Sequence, residues 1–176
     1  MIHRLVGKEA PSFVMDIALG NGQGFDDISL EEYRGDWLVL FFYPLDFTFV
    51  CPTEITAFSN RMEAFAALDT KVLGVSTDSV HSHKAWLNGD LGHLAFPLAS
   101  DQTHRVSESY GVYIEEEGIA LRGLFIIDPE GILRYQTVHD NNVGRNIDEV
   151  LRVLQALQSG GLCPINWKPG QATLTT

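Results

Sequence analysis

The chain has 176 residues, 45% of them hydrophobic, which is enough for one domain with a sizeable core and too apolar for a disordered chain. Its 12 Lys and Arg against 23 Asp and Glu give a net charge of −11, which argues against binding nucleic-acid phosphates. No apolar run has the length of a membrane span, and residues 1–7 lack the apolar core and cleavage site of a secretory signal, so the expected location is the cytoplasm.

Taken in chain order, residues 10–19 alternate loosely and end in a glycine-rich turn, which predicts a first strand with residues 25–28 returning beside it. Ser29-Leu30-Glu31-Glu32 has the spacing of a capping box and predicts a short helix stopped by Gly35. The run Trp37-Leu38-Val39-Leu40-Phe41-Phe42 reads as a buried strand that halts at Pro44. A helical pattern then begins near Thr48 and runs through Ile55, Phe58, Met62 and Phe65. Residues 71–76 form a second buried strand, and Thr77-Asp78-Ser79 can cap a helix that carries Val80, Lys84, Ala85 and Trp86. Residues 96–99 make a short strand, and Asp101-Gln102-Thr103 opens a helix closed by Gly111. Residues 121–127 and 132–138 read as a hairpin turning at Asp128-Pro129-Glu130-Gly131. Asn146 caps a last amphipathic helix with Ile147, Val150, Leu151, Leu154 and Leu157 on one stripe. Alternating strands and helices of this kind predict an α/β sandwich around a mixed sheet. The expected organisation is one domain over residues 1–160 and a polar C-terminal arm over 161–176.

Cys51 falls in the first turn of a helix that follows a core strand directly. Unpaired backbone N–H groups and the positive end of the helix dipole point at such a sulfur, so it reads as a reactive cysteine rather than a small buried hydrophobe. Thr48 can place its hydroxyl beside the sulfur or simply cap the helix. Pro44 removes a donor and stiffens the entry, shielding the site from water. Arg122 stands within an apolar strand, where an unpaired guanidinium is costly, and this marks it as a paired cation. Arg145, just before the last helix, fits either a second cation or the surface. Glu54, one turn after Cys51, can orient an arginine by bidentate pairing.

Cys163 in the arm is the natural second thiol, because a sulfenic acid at Cys51 condenses with another thiol to a disulfide. There is no C-x-x-C spacing, which disfavours both a dithiol reductase and a cysteine-rich zinc site. His81-Ser82-His83 places two histidines on different faces of a helix start, which reads as solvated side chains rather than a metal site. No glycine-rich loop follows a strand with nucleotide-binding spacing, and no cofactor is expected.

The stretch Pro44-Leu45-Asp46-Phe47-Thr48-Phe49-Val50-Cys51-Pro52-Thr53-Glu54 resembles the P-x-x-x-T-x-x-C motif of the peroxiredoxins. Ser76-Thr77-Asp78-Ser79, Arg122-Gly123-Leu124-Phe125, Val143-Gly144-Arg145 and residues 163–170 (Cys-Pro-Ile-Asn-Trp-Lys-Pro-Gly) extend the resemblance to the typical two-cysteine, bacterial alkyl hydroperoxide reductase C-like subgroup. The resemblance implies a thioredoxin-like fold and a thiol peroxidase. It implies Cys51 as the peroxidatic cysteine with Pro44, Thr48 and Arg122 around the peroxide, Glu54 and Arg145 as a supporting pair, and Cys163 as the resolving cysteine of a partner subunit. It further implies a hydroperoxide substrate, a dithiol reductant (thioredoxin or a flavoprotein disulfide reductase), a homodimer and a decameric ring. Where over-oxidation-prone eukaryotic members carry Gly-Gly-Leu-Gly and a C-terminal Tyr-Phe helix, this chain has residues 88–94 (Asn-Gly-Asp-Leu-Gly-His-Leu) and ends without that helix, which implies a robust enzyme. A holdase ring and a peroxide-sensing relay are the competing readings.

Overall fold

The computed structural model describes residues 4–175; residues 1–3, part of the stretch read for a leader, and Thr176 lie outside the described residues. The chain divides into two compact units, residues 1–145 and 146–176. In the first, β1 (Val14–Ala18) and β2 (Phe25–Ser29) form a hairpin, followed by a short 3₁₀ turn, Leu30–Tyr33. The predicted capping box is present there: the Glu32 carboxylate accepts from the Ser29 N–H at 2.9 Å and from its hydroxyl at 3.0 Å. Next come β3 (Trp37–Phe42), α1 (Cys51–Asn60), α2 (Met62–Ala66), β4 (Thr70–Ser76), α3 (Val80–Leu87), β5 (Leu98–Ser100) and α4 (Arg105–Ser109). A two-stranded ribbon, β6 (Tyr113–Ile114) with β7 (Ile119–Ala120), precedes β8 (Arg122–Ile127) and β9 (Leu133–His139).

Seven strands make one mixed sheet in the order β2-β1-β5-β4-β3-β8-β9. Strands β3, β4 and β5 are parallel, and the remaining neighbours pair antiparallel. This is the α/β architecture with a mixed sheet that the strand and helix pattern predicts.

The central strands are buried on both faces, as a continuous apolar run requires. Leu38, Leu40 and Phe42 of β3 share one core with Leu73, Val75, Phe125 and Ile127. The alternate residues point the other way, and there Phe41 stacks on Phe58 of α1 with ring centroids 4.4 Å apart. The single helix predicted from Thr48 through Phe65 is instead two. It starts at Cys51 and breaks at Arg61, whose φ of −108° and ψ of 11° are not helical. The break lets Phe58 keep its stack on Phe41 while Phe65 packs against Phe58 at 6.0 Å.

Gly74 in β4 is required by packing on this second face: a Cβ there would lie 2.8 Å from the Phe41 ring and 2.9 Å from Leu98 Cδ2. Gly74→Ala is expected to destabilise by about 1–3 kcal/mol through overpacking, read as a lower urea midpoint at unchanged slope.

The second unit holds α5 (Ile147–Ser159), capped by the Asn146 side chain accepting from the Glu149 N–H at 3.1 Å, and the segment that follows it. Ile147, Val150, Leu151 and Leu154 are its buried residues, and Gly160 ends it with φ of 67°. Among the described residues no helix is long and apolar enough to cross a membrane.

Candidate active site

The site forms where β3 ends. The antiparallel register pairs Phe41 with Leu124, so continuing it sets Arg122 beside Tyr43, at the point where the chain leaves the sheet towards Cys51. Arg122 shares the face of Leu124 and Ile126, opposite to that of Phe125 and Ile127, and so points towards α1. Cys51 is the first residue of α1 and is fully buried, with Pro44 also buried at the strand exit. Both cysteines are free.

Arg122 is only 2% exposed. Its Nη1 donates to Cys51 Sγ at 3.3 Å and to Glu54 Oε2 at 2.8 Å, while its Nε donates to the Asn141 main-chain oxygen at 2.9 Å. Arg145 completes the group. Its Nε and Nη2 each bond a Glu54 carboxylate oxygen at 2.9 Å, its N–H donates to Glu54 Oε1 at 2.7 Å, and Nη1 donates to the Phe42 and Gly123 carbonyls at 2.7 and 2.8 Å. The Arg145 side chain is 1% exposed, so the buried alternative holds and the surface alternative does not. One carboxylate thus neutralises two buried guanidiniums. Burial alone pushes the Glu54 carboxyl up, but the charge and hydrogen bonds of Arg145 and the charge of Arg122 hold it below its ordinary value. Burial lowers the Arg145 guanidinium and Glu54 largely opposes that, the usual balance for a buried pair.

Thr48 does not cap α1. The N-cap is Val50, with no side-chain bond, and the Thr48 hydroxyl donates to the Leu45 carbonyl at 2.9 Å. That leaves the Thr48 oxygen able to accept. The first turn is closed locally, by Thr53 Oγ1 donating to Val50 O at 2.6 Å and by Thr56 Oγ1 donating to Pro52 O. Phe47, just before Thr48, has φ of 57°, a strained left-handed conformation for a bulky residue.

His83 is not a solvated histidine. It is fully buried, with Nδ1 at 2.7 Å from Asp46 Oδ2 and Nε2 at 3.0 Å from the Ala99 carbonyl. Asp46 also accepts from Tyr43 and Ser82 at 2.7 and 2.8 Å, and its N–H donates to Asp78 at 2.7 Å. The reason is long-range: α3 brings His83 under the loop that carries Asp46, and a buried carboxylate takes every donor within reach. Burial first, then Asp46, pushes the Tyr43 hydroxyl well above its ordinary value.

Among the described residues no group of three or more His, Cys, Asp or Glu is arranged to hold a metal. Cys163, in the second unit, is half-buried and lies 3.4 Å from Ser159 Oγ. Asn141 escaped the sequence reading, because it works through its main-chain carbonyl, which any residue type would supply.

A thiol held against a buried guanidinium, with that guanidinium fixed by a carboxylate one helical turn away, is built to carry negative charge at sulfur and on a small attacked group. A model of the AhpC/TSA family matches residues 6–136. The chain belongs to that family, the peroxiredoxins. The Bacillus subtilis protein YkuU, which carries a peroxiredoxin name, is 62% identical over 181 residues, spanning 99% of this chain and 100% of its own. Peroxiredoxin prdx-2 of Caenorhabditis elegans is 52% identical over 183 residues, covering 99% of this chain and 90% of its own. The crystal structure of a reduced Plasmodium vivax 2-Cys peroxiredoxin superposes with a TM-score of 0.94 at 35% identity, covering 97% of this chain and 93% of that one. The chain is thus a peroxiredoxin of the typical two-cysteine type with the thioredoxin-like fold, and a thiol-dependent peroxidase.

Proposed function

We propose that Cys51 is the peroxidatic cysteine, that Pro44, Thr48 and Arg122 form the peroxide site around it, and that Glu54 and Arg145 hold Arg122 in place. The observation that carries this is the Arg122 Nη1 shared between Cys51 Sγ and Glu54 Oε2. The Cys51 thiolate attacks the terminal oxygen of a hydroperoxide. The S–O bond forms as the O–O bond breaks, sulfur is oxidised to sulfenic acid, and the departing alkoxide or hydroxide takes a proton and leaves as alcohol or water. Arg122 donates to the oxygens as charge moves onto them, and the Thr48 oxygen accepts the substrate O–H.

Cys163 of a partner subunit then attacks the sulfenic sulfur, a disulfide forms and water leaves. A dithiol reductant, thioredoxin or a flavoprotein disulfide reductase, returns both thiols by exchange. The working unit in this reading is a cytoplasmic homodimer that assembles into a decameric ring, with residues 161–176 as the arm that presents Cys163. Residues 88–94, Asn-Gly-Asp-Leu-Gly-His-Leu in place of a Gly-Gly-Leu-Gly segment, favour fast resolution, hence resistance to sulfinic acid formation.

One equivalent of hydrogen peroxide followed by non-reducing electrophoresis tests the disulfide. A covalent dimer is expected from the unaltered protein and none from Cys163→Ser. A monomer carrying an internal disulfide would overturn the intersubunit assignment.

A further inference from the structure

Cys163 lies against the end of α5 because the chain is turned back there and fixed on both sides. Gly160, at φ of 67°, reverses the direction, and the Leu174 N–H then donates to the Leu162 carbonyl at 2.8 Å. Further on, Trp167 is buried and its carbonyl accepts from Arg152 Nη1 at 2.9 Å. Cys163 falls between these two anchors.

The helix end supplies its partners. The last carbonyls of a helix lack intrahelical donors, and the Gly160 N–H goes to Leu157 O at 3.4 Å rather than to Ala156. Two side chains serve the Ala156 carbonyl instead: the Ser159 hydroxyl donates to it at 2.7 Å and the Cys163 S–H at 3.6 Å. Ser159 Oγ also accepts the Gly161 N–H at 3.3 Å and lies 3.4 Å from Cys163 Sγ. Its hydrogen is committed to Ala156, so towards the sulfur it presents a lone pair. Both of these oxygens therefore accept, and the thiol is the donor. Cys51 is the reverse case, with Arg122 Nη1 donating to it at 3.3 Å.

Burial is not what restrains Cys163. It is half-buried and lines an open cavity of about 520 Å³ together with Arg152, Ala156, Pro164 and Ile165, so a small reagent can reach it. A cysteine attacks through its sulfur once the proton has gone, and here that proton is held against two oxygens.

We propose that Ser159 is a positioning residue for Cys163: by accepting the S–H at the end of α5 it keeps the accessible thiol seated and slow towards electrophiles, so that peroxide is met at Cys51. The proposal rests on the reading of Cys163 as the resolving thiol. Once Cys163 has left Ser159, its sulfur attacks the Cys51 sulfenic sulfur. The S–S bond forms as the S–O bond breaks, and the thiol proton leaves with the hydroxyl as water.

The test has two arms, both on the full chain. In a Cys51→Ser background Cys163 is the only thiol, and its loss to iodoacetamide is timed. Ser159→Ala is expected to react threefold or more faster than its parent, while Ser159→Thr, which keeps an acceptor at the same place, stays within twofold of it. An alanine variant no faster than the parent overturns the proposal. So does a threonine variant as fast as the alanine one, which would place the effect on packing rather than on the hydroxyl. With Cys51 restored, the disulfide that follows one equivalent of hydrogen peroxide is timed, and Ser159→Ala is expected to form it threefold or more faster. Disulfide formation at the parent's rate, with alkylation accelerated, would overturn the link between the seat and resolution. A parent that forms no disulfide at all would remove the resolving role of Cys163, and the alkylation rates then judge the seat by themselves.

Discussion

Cys51→Ser is expected to abolish hydroperoxide turnover, leaving only the uncatalysed background, while the variant folds and melts close to the unaltered protein. The hydroxyl is smaller than the thiol by little, and Arg122 Nη1 at 3.3 Å from the sulfur remains as a donor to it. What is lost is the nucleophile, because a serine with no general base beside it stays protonated. Turnover is measured as peroxide consumed with excess dithiol, and a variant retaining even a hundredth of the rate would remove Cys51 from the peroxidatic role.

The same cysteine carries a second requirement. It is fully buried, so a disulfide to another chain demands that the first turn of α1 open. The structure limits how far. Asp46 is pinned by Tyr43, Ser82, His83 and Asp78, and Glu54 by Arg122 and Arg145. Between these two buried carboxylates the side-chain bonds of Thr48 and Thr53 are local ones, Phe49 is 95% exposed, and Phe47 sits at positive φ. A segment with few long-range ties and stored strain is the one that opens at least cost. If the proposed disulfide to a partner chain forms, residues 47–53 are the segment expected to open, with Asp46 and Glu54 as its fixed ends.

What the sequence revealed of this follows a physical line. The β3 run from Trp37 to Phe42 was legible because burial on both faces leaves no alternation to disguise it. Ser29 with Glu32, and Asn146, were legible because capping is local. Cys51 at a helix start and Arg122 in an apolar strand were legible because each is conspicuous against its immediate neighbours. Arg145 was left between cation and surface by its neighbours, since Gly144 and Asn146 look like loop and its partner Glu54 is 91 positions away, and only the family resemblance pointed to the pair. His83 failed for the same reason, its partner Asp46 lying 37 positions earlier in a loop. The break at Arg61 was hidden because the apolar spacing of Phe58 and Phe65 continues across it. Local chemistry could be read directly, and pairings made by the sheet could not.

Glu54→Ala is expected to cost about 3–5 kcal/mol, because it leaves two guanidiniums, with side chains 3% and 1% exposed, buried together without a counter-charge. Glu54→Gln keeps the volume and isolates the charge. The Glu54 carboxyl is held below its ordinary value in the folded chain, where burial opposes the shift and Arg145 and then Arg122 prevail. A depressed folded value means the ion pair's contribution is fully present above the unfolded value of about 4.3 and is lost as pH falls through the folded one. Asp78 acts in the opposite sense, its carboxyl raised mainly by burial, but it is present in both proteins and drops out of their difference. Urea midpoints should therefore show a gap of several kcal/mol between the unaltered protein and Glu54→Gln at pH 7, narrowing below pH 4.3. A gap under about 1 kcal/mol at pH 7 would reduce the pair to the standing of a surface salt bridge. A gap that stayed constant into acid would show that volume or hydrogen bonding, not charge, is what Glu54 supplies to the two arginines.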